Sequence, residues 1–227
     1  CSVGDELKVA GVLWFFFCCF PRFIFFVFDF DFVLAGYLFA AIALVWLLNL
    51  YNFMDGIDGI AGVEALSSSL VVGLLFFFAL DNRELSSIHL LMSVSVLGFL
   101  VWNFPPAKIF MGDAGSGFLG LMLGALVLLN SHIAPQMLWV WLIMLGVFIV
   151  DATFTLIRRL LRGDKVYEAH RSHAYQYASR KYGSHSLVTL TVLGINLFWL
   201  APLAFAVAFS AVDGFVGMVC AYVPLLW

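Results

Sequence analysis

An all-α bundle of transmembrane helices is the fold this sequence predicts, on three observations. First, the 227 residues are 64% hydrophobic and 11% charged, against roughly 25% charged and 45–50% apolar in an ordinary soluble chain. There is too little polar surface to cover the chain in water. Second, the apolar residues gather into long runs on the scale of the roughly 20 residues that cross about 30 Å of hydrocarbon at 1.5 Å per residue. Third, the runs are unbroken and do not alternate as barrel strands would, which leaves helices as the way to satisfy the backbone in lipid.

In chain order, helices are predicted over 34–51, 60–80, 88–104, 118–130, 137–157, 187–209 and 215–227, with a further run over 9–28 interrupted at Pro21 and Arg22. The first ends in the polar connection 52–59, which also opens the second. The connection 81–87 parts the second from the third, 105–117 the third from the fourth, and 131–136 the fourth from the fifth. The long connection 158–186 precedes the sixth. This gives about seven or eight spans in a single integral membrane domain, 1–227, with further N-terminal spans expected upstream of it.

A net charge of -3, from 11 Lys+Arg against 14 Asp+Glu, excludes a basic nucleic-acid binder, so no nucleic-acid partner is expected. Cys1, Cys18, Cys19 and Cys220 show no metal-ligand spacing, and the three in apolar runs, Cys18, Cys19 and Cys220, read as structural thiols. No cleavable signal peptide is visible, and residues are expected upstream of Cys1. Seven of the 11 basic residues (Arg158, Arg159, Arg162, Lys165, Arg171, Arg180 and Lys181) fall in the connection 158–186, which the positive-inside rule makes cytoplasmic. Counting spans back puts 52–59 and 105–117 on the same side.

Three constellations lie in those connections. In Asn49-Leu-Tyr-Asn52-Phe-Met-Asp55-Gly56-Ile-Asp58-Gly59, two acids three apart would face the same way on a helical turn, with Asn49 and Asn52 behind them. Like charges at a membrane face call for a hard, oxygen-seeking cation such as Mg²⁺, although Asp-Gly pairs also simply end helices. In Asn103-Phe-Pro-Pro-Ala-Lys108-Ile-Phe-Met-Gly112-Asp113-Ala-Gly115-Ser116-Gly117, a Gly-rich turn with one acid leads into a helix start, whose free N–H groups suit phosphate. There Asp113 could hold a metal and Lys108 a phosphate, or the segment is a plain capped loop. In Glu168-Ala-His170-Arg171-Ser172-His173-Ala-Tyr175-Gln176, Arg and His suit an anionic ligand, or the loop binds anionic lipid headgroups. Asp151 is an acid inside an apolar run and either pairs with a cation or is functional. Together these residues read as a cytoplasmic Mg²⁺ and phosphate site, hence phosphoryl transfer involving a lipid.

The same three segments resemble the signature regions of the polyprenyl-phosphate N-acetylhexosamine-1-phosphate transferases (glycosyltransferase family 4), with Asn-Phe-Met-Asp-Gly-Ile-Asp-Gly the most specific string. His-Arg-Ser-His-Ala-Tyr-Gln and the following Tyr182-Gly183-Ser184-His185 look most like the O-antigen initiating branch. The resemblance implies an enzyme of the bacterial cytoplasmic (inner) membrane with its site on the cytoplasmic face. In it, undecaprenyl phosphate attacks the β-phosphate of a UDP-N-acetyl sugar, giving a lipid diphosphate sugar and UMP. It implies Mg²⁺, with Mn²⁺ as a substitute, on Asp113. Asp55 and Asp58 match the nucleotide-sugar-side acids, and His170 and His173 the histidine motif near the pyrophosphate. Asn49, Asn52, Lys108 and Arg171 are expected to bind substrate; membrane lipids and a second copy in a homodimer are the other expected partners.

Two departures stand out. The histidines are separated by Arg171-Ser172, where the family often has them adjacent. The family's upstream Asp-Asp pair is matched near the start only by Asp5-Glu6, whose flanks differ, so this polypeptide is expected to be an incomplete piece of the enzyme. The rival readings are a proton-coupled transporter, with Asp151, Asp55 and Asp58 as relay acids, and an inactive truncated homologue. Against the transporter, the acids and histidines lie at one face, whereas transporter sites sit near mid-membrane between repeats.

Overall fold

The computed structural model describes residues 33–163 and 172–226. The expected run over 9–28, the Asp5-Glu6 pair, Lys165, His170 and Arg171 lie outside the described residues.

Among the described residues the chain is helical, with no strand. Helix α1 (Val33–Met54), α2 (Ile60–Phe78), α3 (Arg83–Asn103) and α4 (Gly112–Ile133) run back and forth. They are followed by α5 (Gln136–Met144), α6 (Gly146–Leu161) and the short α7 (Ala174–Tyr182). A continuous span, His185–Ala208, consists of α8 (His185–Ile195), a π-helical turn (Asn196–Leu200) and α9 (Ala201–Ala208). Helix α10 (Gly214–Tyr222) and a 3-10 turn (Val223–Leu226) complete the description.

Among the described residues five helices are long and apolar enough to cross a membrane, and the count reaches 6 if the bent pair α5–α6 is one span. This is lower than the seven expected over the same residues. The predicted helix over 137–157 is really two, bent by 70° at Leu145, whose φ of -86° and ψ of 11° leave the helical region. The last apolar run forms only a 9-residue helix and a 3-10 turn. An apolar ruler counts residues and cannot see a change of direction.

Helix α2 is the centre of the bundle, with 78% of its apolar window buried by protein against 22–44% for the other spans. Its faces are mostly apolar, as in a helix enclosed by others, and the polar residues it does bury, Glu64, Ser67, Ser68 and Ser69, are held inside the protein. The outer spans turn Leu91, Val94, Val101, Phe118 and Phe198 outward, the surface expected where lipid rather than water is the solvent. Inside, polar pairs tie spans together: Asn196 Nδ2 donates to Glu64 Oε2 at 2.6 Å, and Asn130 Nδ2 lies 2.9 Å from His89 Nε2. In hydrocarbon such groups must find one another.

Helix α4 begins at Gly112, not at 118, so the Gly-rich segment is itself helical. Glycine is a poor helix former, but here close packing outweighs propensity. A Cβ on Gly120 would lie 2.6 Å from the Leu47 carbonyl and 2.8 Å from Leu48 Cα, and one on Gly124 would lie 2.9 Å from Leu44 Cδ2. The glycines let α4 lie against the backbone of α1. That contact brings Asn52 and Asp55, at the end of α1, to Asp113 and Ser116, at the start of α4.

Candidate active site

Helix α1 stops at Met54 because the chain turns through Gly59, whose φ of 77° is left-handed and strained for any residue with a Cβ. The segment 55–59 is a non-helical turn. This corrects the expectation that Asp55 and Asp58 share one helical face; their carboxyls go to different neighbours.

Asp58 Oδ2 accepts the Ala107 N–H at 3.1 Å and lies 3.4 Å from His185 Nδ1. The Asp58 carbonyl accepts Thr189 Oγ1 at 2.9 Å. Next to it the Gly59 N–H donates to Asn103 Oδ1 at 3.1 Å, and Asn103 Nδ2 donates to the Ile109 carbonyl at 2.9 Å. Asp58 thus ties the turn to the α3–α4 connection and to the first turns of α8. His185 remains about half exposed beside it, available to a ligand.

Asp55 faces Asp113. Burial first, and then the Asp113 charge, push the Asp55 carboxyl from the usual value of 3.8 up to about 6. Beside them Ser116 Oγ donates to Asn52 Oδ1 at 2.9 Å, and Asp113 sits exposed in the first turn of α4. Two carboxyls and an amide oxygen beside a helix N-terminus make an oxygen-rich place for a hard cation and a phosphate.

The third constellation docks from above. Asp151, on α6, accepts the backbone N–H groups of Ala174 and Tyr175 at 2.9 and 3.1 Å and Thr155 Oγ1 at 3.1 Å. Its Oδ1 lies 3.4 Å from His173 Nδ1. The Asp151 carboxylate therefore holds the N-terminus of α7, where the helix dipole favours an anion. His173 is buried and stacks on Tyr175 with ring centroids 5.8 Å apart. Tyr175 Oη reaches across to donate to the Phe53 carbonyl at 3.0 Å. Burial pushes the phenol above its usual value, so it stays a donor.

The expected residues are thus partly assembled. Asn52, Asp55, Asp58, Asp113 and His173 come to one end of the bundle. Asn49 turns its amide back to the Val45 carbonyl at 2.7 Å, and exposed Lys108 holds its ammonium 5.3 Å from the centre of the Trp102 ring. Sequence reasoning named no partner for Asp151 and gave no part to Asn103, Ser116, Thr189 or His185. Ser184 accepts the Leu187 N–H at 3.2 Å as an N-cap, a signal that could have put His185 at a helix start but not beside Asp58.

A family model, glycosyl transferase family 4, matches residues 7–131. The chain belongs to glycosyl transferase family 4. The match covers the turn after α1 and the start of α4 and ends before the 172–176 segment. Over 115 residues the chain is 37% identical to a probable undecaprenyl-phosphate N-acetylglucosaminyl 1-phosphate transferase of Bacillus subtilis, covering 50% of this chain and 32% of that one. It is 29% identical over 115 residues to an undecaprenyl-phosphate alpha-N-acetylglucosaminyl 1-phosphate transferase of Thermotoga maritima, covering 50% and 38%. A third stretch, 57 residues, is 49% identical to the phospho-N-acetylmuramoyl-pentapeptide-transferase of the same organism, covering 25% and 19%. Each match spans less than two-fifths of the relative's own length. The multi-pass membrane character expected from composition agrees with the five helices among the described residues that are long and apolar enough to cross a membrane.

The raised Asp55 carboxyl gives a pH prediction. Because its folded value lies above 3.8 at about 6, folded protein binds the extra proton more tightly than unfolded protein, and stability from this group falls as pH rises through that window. A divalent cation binding the carboxylate offsets the loss. The melting-temperature gain given by Mg²⁺ in detergent should be larger at pH 8 than at pH 5; equal gains would remove Asp55 from the cation site.

Proposed function

We propose that the protein transfers an N-acetylated sugar 1-phosphate from a UDP-sugar to undecaprenyl phosphate in the bacterial inner membrane, starting an O-antigen or related envelope glycan. The observation that carries this reading is the convergence of Asp55, Asp113 and the N-terminus of α4 at the bundle end where α7 and α8 also meet. Random polar residues would scatter over both ends.

In the reaction a lipid phosphate oxygen bonds to the sugar-bearing β-phosphorus of the donor, and the bond from that phosphorus to the oxygen of UMP breaks. Positioning and charge neutralisation are the main demands of such a step. Asp113 and Asp55, with Asn52 Oδ1 beside them, fit Mg²⁺ or Mn²⁺ by their oxygen chemistry. Mg²⁺ uses few carboxylates and fills its shell with water and phosphate. Bound there, it would neutralise pyrophosphate charge. The N–H groups opening α4 bind phosphate oxygen, His185 lies within reach of a ligand beside Asp58, and Asp151 holds α7 over the turn.

The test is a panel of UDP-N-acetyl sugars with undecaprenyl phosphate and membranes containing the protein, reading UMP release and labelled lipid. No transfer from any donor would refute the reading. Sidedness is tested with Ser172→Cys and Ser87→Cys, which lie exposed at opposite ends. An impermeant thiol reagent applied to intact cells should label the second and miss the first; the reverse pattern would put the site on the wrong face.

A further inference from the structure

We propose that Tyr175 and Gln176 form a latch seated in the space where Gly56 lacks a Cβ, and that this latch positions the Asp55–Asp58 turn for donor binding. The inference rests on the function proposed above for its kinetic readout and on geometry for everything else.

Gly56 is not needed for its backbone, since it is absent from the positions with positive φ, where Gly59 has a φ of 77°. It is needed for space. A Cβ there would collide with the Tyr175 hydroxyl and stand 2.9 Å from Gln176 Nε2 and 3.2 Å from Tyr175 Cζ. The hydroxyl occupying that space donates to the Phe53 carbonyl at 3.0 Å and accepts from Gln176 Nε2 at 3.1 Å. Gln176 Oε1 in turn takes the His173 N–H at 3.4 Å.

The turn therefore has two independent anchors. Asp58 holds it from the α3–α4 connection and α8, and Tyr175 holds it at Phe53, two residues before Asp55. Only the second belongs to α7, which is fixed through Asp151 to α6. Tyr175 is a positioning residue: its hydroxyl is turned to the Phe53 carbonyl, and it acts on the donor through the acids that the turn carries.

A double-mutant cycle tests this, because contacting residues give non-additive effects and distant ones do not. Tyr175→Phe removes the hydroxyl, keeps the ring on His173 and should raise KM for the UDP-sugar on the order of tenfold with kcat less changed. Gly56→Ala should be worse in both KM and melting temperature. Combined, Tyr175→Phe should partly rescue Gly56→Ala, since only the Cζ contact and the flexible Gln176 amide remain against the new methyl. Gly59→Ala, whose defect is backbone strain, should not be rescued.

Strict additivity of the melting temperatures would overturn the latch, as would a Tyr175→Phe protein that melts lower with KM unchanged, which would make the residue structural only. If the unaltered protein releases no UMP, the proposed function fails by itself, and the melting cycle still decides the latch.

Discussion

Asp113→Asn should leave a folded, membrane-inserted protein that has lost transfer by a factor on the order of a hundred or more. An amide keeps the shape but not the anionic charge, and a hard cation bound through few protein ligands depends on each one. The change also has a sign on the free protein. The Asp113 charge is one of the two causes that push Asp55 up to about 6, so removing it should bring Asp55 back toward the ordinary carboxylate range. Stability without Mg²⁺ should then be equal or slightly higher, while the melting gain on adding Mg²⁺ shrinks. Activity lost without stability lost is the signature of a ligand rather than a strut. Unchanged turnover with unchanged Mg²⁺ dependence would take Asp113 out of the mechanism.

Asp151→Ala should do the opposite and destabilise by about 3 kcal/mol or more, since removing one partner of a buried, charged hydrogen-bonded group leaves the others unsatisfied. Its side chain is 9% exposed, and the substitution strands two N–H groups of α7 and Thr155 Oγ1 together and removes the carboxylate beside the His173 ring. Helix α7 has 9 residues, too few to persist without tertiary support. Its loss would release Tyr175 from Phe53, so donor binding should weaken along with the fold. Asp151→Asn, which retains an acceptor oxygen, should lie between the two. The measurement is the melting temperature in detergent beside KM for the UDP-sugar; a melting temperature unmoved by Asp151→Ala would show that the carboxylate does not hold α7.

Most of the candidate site residues were legible in order along the chain, yet their pairing was not. The Asp55, Asp58, Asp113 and His173 motifs could be read because each breaks an apolar pattern at a membrane face, where charge is costly and seldom idle. The assumption that spacing sets partnership failed at the first motif. Asp55 and Asp58 look like a pair at helical spacing, but the chain leaves the helix after α1, and the Asp58 carboxyl goes to Ala107 and His185 while Asp55 feels the Asp113 charge. Asn49 and Lys108 match the expected motif positions, yet Asn49 bonds to its own helix and Lys108 stacks over Trp102.

By itself, the sequence determined the helical membrane fold, the position of most spans and the gathering of unusual polar residues in the connections at one end of the bundle. Those follow from local quantities: the number of consecutive apolar residues needed to cross hydrocarbon, and the free energy of placing charge there. Only the tertiary structure decided the 70° bend between α5 and α6, the helical start of α4, the strut role of Asp151 and the reason Gly56 is glycine. The last three depend on atoms from segments distant in the chain: a carbonyl of Leu47, the N–H groups of α7 and the hydroxyl of Tyr175. In a close-packed bundle the neighbour that fixes a residue's conformation is set by helix contact rather than by separation along the chain.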